Sequence, residues 1–257
     1  MSDLMFVPGA HNLAPTIATD GPVKTWSFSS LTKYEQCPYA VYLGKVEGFR
    51  EPAGPAADRG TQLHTMLEEY VQGNSDDLPD KMRKHDGMVR YAQRLRELYA
   101  EGIVTLEEEW TFDREWNVCE PKTPAVWAVF KCDVVVHESD TSIQIIDWKS
   151  GRVFGNELKH GTQGMFYAIA TLMRYPKLEY VEAEFAYIDH GQVHTRSTMT
   201  RTELPHFLPR LTKRALAMTT AQHFPANPST HNCRWCRMKD EVTREDGRPA
   251  CEWGVVA

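Results

Sequence analysis

Apolar positions follow a helical spacing along the first part of the chain, give way to β-branched runs near position 104, and then alternate between the two patterns. Ahead of the first periodic stretch, residues 1–25 are rich in Pro, Gly, Ala and Thr, which predicts an extended or mobile lead-in. Ser27 to Leu43 predicts a short helix that Ser29 or Ser30 can cap, with Leu31, Tyr34, Tyr39 and Tyr42 as its bulk; Pro38 bends or restarts it. Glu51 to Ala56 predicts a loop. Ala57 to Gln72 is a stronger helix carrying Leu63, Leu67, Tyr70 and Val71, and Pro79 to Glu101 is a charged amphipathic helix ended by Gly102.

Val104–Phe112, Ala125–His137 and Ser142–Trp148 have the β-branched and aromatic bias of strands. Gly161 to Tyr175 predicts an apolar helix packed on the sheet. Tyr180–Asp189 and Val193–Met199 add two strands joined at His190-Gly191. Arg201 to Gln222 closes the series as a long helix with Pro205 in its first turn and Pro209 as a kink. This order predicts an α/β fold with a central mixed sheet flanked by helices. One domain is expected over residues 26–257, with its core at about 57–200 and a loop-like tail at about 224–257.

Composition changes this picture little. In 257 residues, 42% hydrophobic and 25% charged content describes an ordinary globular chain. No apolar run approaches the roughly 18–20 residues needed to cross a bilayer. Met1 to Ala18 has neither the basic head nor the apolar core of a secretory signal, so a cytoplasmic location without membrane contact is expected. The net charge of −6 argues against a globally basic nucleic-acid binder, but it leaves room for a local basic track beside an acidic metal site.

The candidate chemistry lies in the first two strands after Ala125. Val134 to Ile146 predicts a hairpin with its turn at Glu138–Ser142. Counting equally from Asp140 places Asp133 opposite Asp147, with Cβ atoms about 4.5–5.5 Å apart. Directly opposed carboxylates repel, and a bound Mg²⁺ or Mn²⁺ reverses that sign. Lys149, two residues past Asp147, faces the same side. An ammonium there suits phosphodiester hydrolysis, where charge builds on the phosphate. Read alone, an Asp-x-Lys at a strand end can equally be a solvated pair.

Asp133 followed by Ile145-Ile-Asp-Trp-Lys-Ser-Gly151 resembles the core of the PD-(D/E)XK nuclease superfamily, in its RecB-like branch. Arg59-Gly-Thr-Gln-Leu-His64-Thr-Met-Leu-Glu68 resembles that branch's upstream helical motif, and Gln163-Gly-Met-Phe-Tyr167 its Gln-x-x-x-Tyr motif. The resemblance implies a restriction-endonuclease-like fold. It also implies metal ligation by Asp133, Asp147, the main-chain carbonyl of Trp148 and His64, with Lys149 as the catalytic lysine. Gln163 and Tyr167 would position that lysine or contact the DNA backbone. One departure is that Lys131-Cys132 precedes Asp133, where the family motif has proline. Without the resemblance, His64 could be a packed histidine paired with Glu68, and Gln163 and Tyr167 could merely anchor a helix.

Six cysteines remain to be placed. Cys119 and Cys132 fall in the predicted strand regions and read as small buried hydrophobes. Cys233-Arg-Trp-Cys236 has metal-ligand spacing, Cys251 follows after fourteen residues, and Cys37 lies far upstream in Glu-Gln-Cys-Pro. This quartet is similar to the one N-terminal and three C-terminal cysteines that hold a [4Fe–4S] cluster in the AddB nuclease domain and the iron–sulfur CRISPR-adaptation nuclease. The wide Cys236–Cys251 gap departs from those relatives, and its charged sequence predicts an inserted surface loop. Zinc or no metal are the alternatives.

These features imply a metal-dependent deoxyribonuclease acting as an exonuclease at DNA ends, with single-stranded DNA favoured, in recombination, repair or replication. The alternatives are a structure-specific endonuclease and a non-catalytic DNA-binding subunit. The chain lacks a Gly-x-x-x-x-Gly-Lys-Ser/Thr stretch, so any helicase or recombination partner would be separate. The resemblance also fits a phage or bacterial origin, with the host cytoplasm as location if phage-encoded.

Overall fold

The computed structural model describes residues 20–255, so most of the expected lead-in lies outside the described residues. The N-terminal helical stretch splits in two, α1 (Phe28–Gln36) and α2 (Pro38–Lys45). Ser27, one turn earlier than expected, caps α1. Its hydroxyl accepts from the Ser30 amide, and the Ser30 hydroxyl accepts from the Ser27 amide. Cys37 is extended between the helices, and Pro38 starts α2, where its missing N–H costs nothing.

Helix α3 (Pro55–Gln72) begins inside the expected loop, again on a proline at its first turn. The expected Pro79–Glu101 helix is shorter. A 3₁₀ turn at Met82–Lys84 leads to His85, whose extended backbone interrupts the run, and α4 follows at Asp86–Ala100. Five strands come next: β1 (Val104–Phe112), β2 (Ala128–Ser139), β3 (Ser142–Lys149), β4 (Tyr180–Tyr187) and β5 (Gln192–Thr200). They line up in chain order. All neighbours are antiparallel except β3 and β4, which α5 (Glu157–Arg174) joins as a parallel crossover. Gly191 supplies the left-handed turn residue between β4 and β5 at φ 63°. Helix α6 (Leu204–Thr219) contains Pro209, and a short α7 (Thr230–Cys233) opens the tail.

The sheet is covered on both faces. On one side α1, α5 and α6 enclose Trp26, Trp110, Trp127 and Phe166. Trp26 meets Trp116, Trp127, Phe130 and Phe166 edge-on, each pair adding about 0.5–1.5 kcal/mol beyond its buried area. On the other side α3 and α4 bring Leu67, Tyr70, Met88 and Leu95 against Val134, Ile146 and Trp148. Cys132 is buried in β2 as expected. Cys119 is not in a strand; it lies half-buried in the long β1–β2 connection, where its carbonyl accepts from Thr111.

The tail is not a plain surface loop. Between Cys236 and Cys251 the chain folds back, with Arg244 donating to Arg248 and Ala250 to Val242. Met238, Val242 and Ala250 are buried against Leu43 of α2. The charged residues of this stretch hide that apolar triplet in the sequence.

Candidate active site

The β2–β3 ladder runs Val136↔Gln144, Val135↔Ile145, Val134↔Ile146, so Asp133 and Asp147 are the next residues at the ladder's end. The hairpin register shifts near its apex, beyond Val136, and the arithmetic at the acidic end is unaffected. Asp133 Oδ2 accepts the Trp148 amide N–H at 2.8 Å, which locks the two strand ends together.

Asp147 is only 3% exposed. Its Oδ1 accepts from Tyr167 Oη at 2.8 Å and from Gln163 Nε2 at 3.0 Å. Lys149 Nζ lies 2.5 Å from Oδ2 and donates to Gln163 Oε1 at 3.1 Å. Burial raises the Asp147 carboxyl above the usual range and the Asp133 charge adds to this, against the Lys149 ammonium and the Tyr167 hydrogen bond. Lys149 Nζ also stands 5.2 Å from the centre of the Phe185 ring. Gln163 and Tyr167, one turn apart on α5, therefore grip the Asp147–Lys149 pair directly.

His64 enters from α3 on the other side of the strand ends. Its Nε2 lies 3.0 Å from the Trp148 carbonyl and its Nδ1 3.4 Å from Asp133 Oδ2. Burial lowers its pKa, but the hydrogen bond and charge of Asp133, the Asp147 charge and the Trp148 carbonyl outweigh that and hold it at about 9. An imidazolium is thus a cation bridging a carboxylate and a carbonyl. Glu68 does not pair with His64; it accepts from Gln72 instead.

Glu107 belongs to this group and was not foreseen from the sequence. Ligand atoms of His64, Glu107 and Asp133 all lie within 4.8 Å of one another. Glu107 has φ 49°, a conformation that non-glycine residues rarely adopt. The two flanking strands change face at this level. Val104 and Val134 serve the α3/α4 core, whereas Trp110, Phe130 and Cys132 serve the opposite one. Glu107 is exposed, yet partial desolvation by its neighbours raises its carboxyl, and the charges of Asp133 and Glu68 raise it further, against His64 and Lys131. The only sequence signal was the Glu107-Glu108-Glu109 run within a strand.

Two features fit a divalent cation. The donors are carboxylates, a carbonyl and an imidazole, which suit hard ions. In addition, Asp147 Oδ2 is buried and takes no well-aligned hydrogen bond despite its ammonium neighbour. The structure brings Asp133, Trp148, His64 and Glu107 together, while Asp147 faces Lys149 at the edge of that cluster.

A family model for the PD-(D/E)XK nuclease superfamily matches residues 25–240. The chain belongs to this superfamily. No curated protein sequence matches it. A crystal structure of a protein from Eubacterium rectale that carries an exonuclease designation is 13% identical, with TM-score 0.50, over 86% of this chain and 90% of that one. The alkaline exonuclease LHK-Exo from Laribacter hongkongensis is 12% identical, with TM-score 0.32, over 77% and 87% of the two chains. The first of these likenesses agrees with the restriction-endonuclease-like fold. Among the described residues, no helix is long and apolar enough to cross a membrane.

The four cysteines also meet. Cys37, Cys233, Cys236 and Cys251 line one cavity of about 970 Å³. The Cys251 amide donates to the Met238 carbonyl at 2.7 Å, so the fold-back returns Cys251 beside Cys236 despite the wide spacing. Backbone amides point at the thiols: Asn227 to Cys37, Met238 to Cys236, and Trp253 and Gly254 to Cys251.

Proposed function

We propose that this protein is a divalent-metal-dependent deoxyribonuclease of the RecB-like branch that hydrolyses phosphodiester bonds at the ends of DNA, single-stranded DNA in preference, during recombination, repair or replication. The convergence of Asp133, Asp147, Lys149, His64 and the Trp148 carbonyl at one sheet end carries this reading. Asp133, Asp147, His64 and the Trp148 carbonyl would hold Mg²⁺ or Mn²⁺, and Glu107 joins them. Bound there, the ion would supply Lewis-acid polarisation of the scissile phosphate.

The protein's own residues do the rest. Lys149 presents a cation at the cleft to orient the attacking water and offset charge building on the phosphate. Gln163 and Tyr167 fix the Asp147–Lys149 geometry through two hydrogen bonds donated to the buried acid, which favour its charged form against the burial that raises it. His64 must give up its proton before its nitrogen can serve as a ligand.

The cysteine quartet is read as the holder of a [4Fe–4S] cluster. The likeness of the quartet to the cluster-holding cysteines of the RecB-like nucleases supports that reading, and the amide donors aimed at Cys236 and Cys251 suit thiolate ligands. Such a cluster would tie the tail to α1 and α2 without entering the chemistry.

Cleavage of end-labelled linear and of circular single-stranded DNA, with Mg²⁺ or Mn²⁺ and a chelator control, tests the activity. Asp147→Asn and Lys149→Ala should each lower turnover by at least about 100-fold. Glu107→Gln should raise the metal concentration for half-maximal activity about tenfold. Unchanged cleavage by Asp147→Asn would refute the site, and cutting of the circle at the linear rate would make the enzyme an endonuclease.

A further inference from the structure

Large apolar side chains are rarely left in water without a partner, yet three stand at the rim of the cysteine-lined cavity. Trp235 is 81% exposed, Trp253 55% and Leu158 89%. They come from two separate parts of the chain: the two tryptophans from the tail, Leu158 from the first turn of α5. The α5 wall continues through Lys159 and Thr162 to Gln163. Gln163 is the residue that contacts both Asp147 and Lys149. One cavity therefore runs from the tryptophans to the edge of the acidic site.

Its charge opposes that of the whole chain, which is −6. Both acids on the cavity wall are already matched, Glu35 by Arg214 and Glu51 by Lys33. That leaves Lys159 and Arg234 as cations with no carboxylate partner among the described residues. Arg234 lies over the Trp235 ring, 5.1 Å from its centre, so a cation and an aromatic face are presented together.

We infer that the outer rim of this cavity, beside the cysteines and not among them, seats an unpaired DNA strand, with its bases stacked on Trp235 and Trp253 and its phosphates tracked by Arg234 and Lys159 toward Gln163. The inference rests on the nuclease reading and specifies its substrate. Alternating aromatic faces and uncompensated cations are what single strands require, because every base has a stacking face and every linkage a charge. Paired bases inside a duplex present neither face, so the rim discriminates against double-stranded DNA.

Binding of fluorescein-labelled dT₂₀ and of a blunt duplex of equal length to the full chain, followed by anisotropy in chelator, separates this from cleavage. Trp235→Leu keeps apolar bulk but loses the aromatic face, and Trp235→Phe keeps the face. Trp235→Leu should weaken dT₂₀ binding about tenfold, Trp235→Phe should stay within about threefold of the unaltered protein, and duplex binding should move less than twofold. The double Trp235→Leu/Trp253→Leu variant should lose about 100-fold. Equal dT₂₀ affinity in Trp235→Leu would overturn the stacking site. So would sedimentation showing that the unaltered chain is a dimer which Trp235→Leu converts to monomer, since the rim would then cover a second copy. These outcomes do not depend on catalysis. Loss of cleavage in Asp147→Asn with unchanged dT₂₀ binding supports both readings, and cleavage surviving in Asp147→Asn overturns the nuclease site alone.

Discussion

At the scale of single residues, two histidines illustrate how burial and neighbours push one side chain in opposite directions. His64 sits among carboxylates and is raised to about 9. His160 on α5 is buried, stacked on Phe185 at 5.3 Å and hydrogen-bonded to Tyr187 Oη at 2.7 Å. Burial lowers its pKa to about 4, and the charges of Lys149, Lys159 and Arg196 push the same way. The fold thus holds His160 neutral. A base whose folded value lies below its unfolded 6.5 contributes full stability above pH 6.5 and loses it as pH falls toward 4. The loss should be on the order of 2–3 kcal/mol at pH 4. His64 contributes nothing to a change in that window, because its raised value makes its stabilisation complete below 6.5 and lost only as pH rises through about 9. Urea unfolding of the unaltered protein and of His160→Gln between pH 4 and 7 should give curves that diverge below 6.5. Parallel curves would contradict a neutral buried His160.

The same scale shows what could be read in advance. Asp133 and Asp147 were legible because an antiparallel hairpin with a short turn makes pairing a matter of counting. Lys149 follows by the two-residue period. His64 was visible only through the resemblance of its motif, since its contact with Trp148 spans 84 positions. Glu107 escaped for two reasons. The β1–β2 register crosses a long irregular connection, and the side chain reaches the cluster from a left-handed backbone that no local pattern announces.

Among elements, the α5–sheet contact decides the geometry of the site. Gly164 sits where the helix passes close to β4 and β5. A Cβ there would lie 2.9 Å from Ser197 Oγ, 3.1 Å from Ser197 Cβ and 3.2 Å from Ala183 Cβ. Ser197 is itself held by its bond to the Gly161 carbonyl at 2.8 Å, so it cannot swing away freely. Gly164→Ala gains up to about 1 kcal/mol of helix propensity but incurs an overpacking cost of about 1–3 kcal/mol. A net destabilisation of about 1 kcal/mol is expected, together with a fall in turnover because Gln163 is the adjoining residue. Adding Ser197→Ala should restore much of both, as followed by denaturant midpoints and cleavage rate. A Gly164→Ala protein as stable and active as the original would show that the helix has slack. The extra first turn of α5, which begins at Glu157 and not at Gly161, matters here too. It carries Leu158 and Lys159 to the cavity, and its polar start concealed it in the hydrophobic pattern.

Across the whole molecule, the tail is joined to the N-terminal segment by an apolar contact, by polar contacts such as Arg244–Glu47 and Asn232–Gln36, and by the sulfur-lined cavity. The buried triplet Met238, Val242 and Ala250 on Leu43 is small, so it supplies only a few kcal/mol against the entropy of ordering some thirty residues. Binding of a metal group at the four cysteines would make up the difference, since a group that binds only the folded arrangement stabilises it. Anaerobically purified protein should then contain about four iron per chain and absorb broadly in the visible. Cys37→Ala and Cys251→Ala come from opposite ends of the sequence and should each abolish the iron. Each should also open the chain to trypsin beyond Phe224, while the sheet and its two cores stay intact by circular dichroism. Zinc in place of iron would assign the quartet to a single ion. Retention of metal and of protease resistance in both variants would show that the sulfurs do not act as one site, and the tail would then be held by its apolar packing and polar contacts.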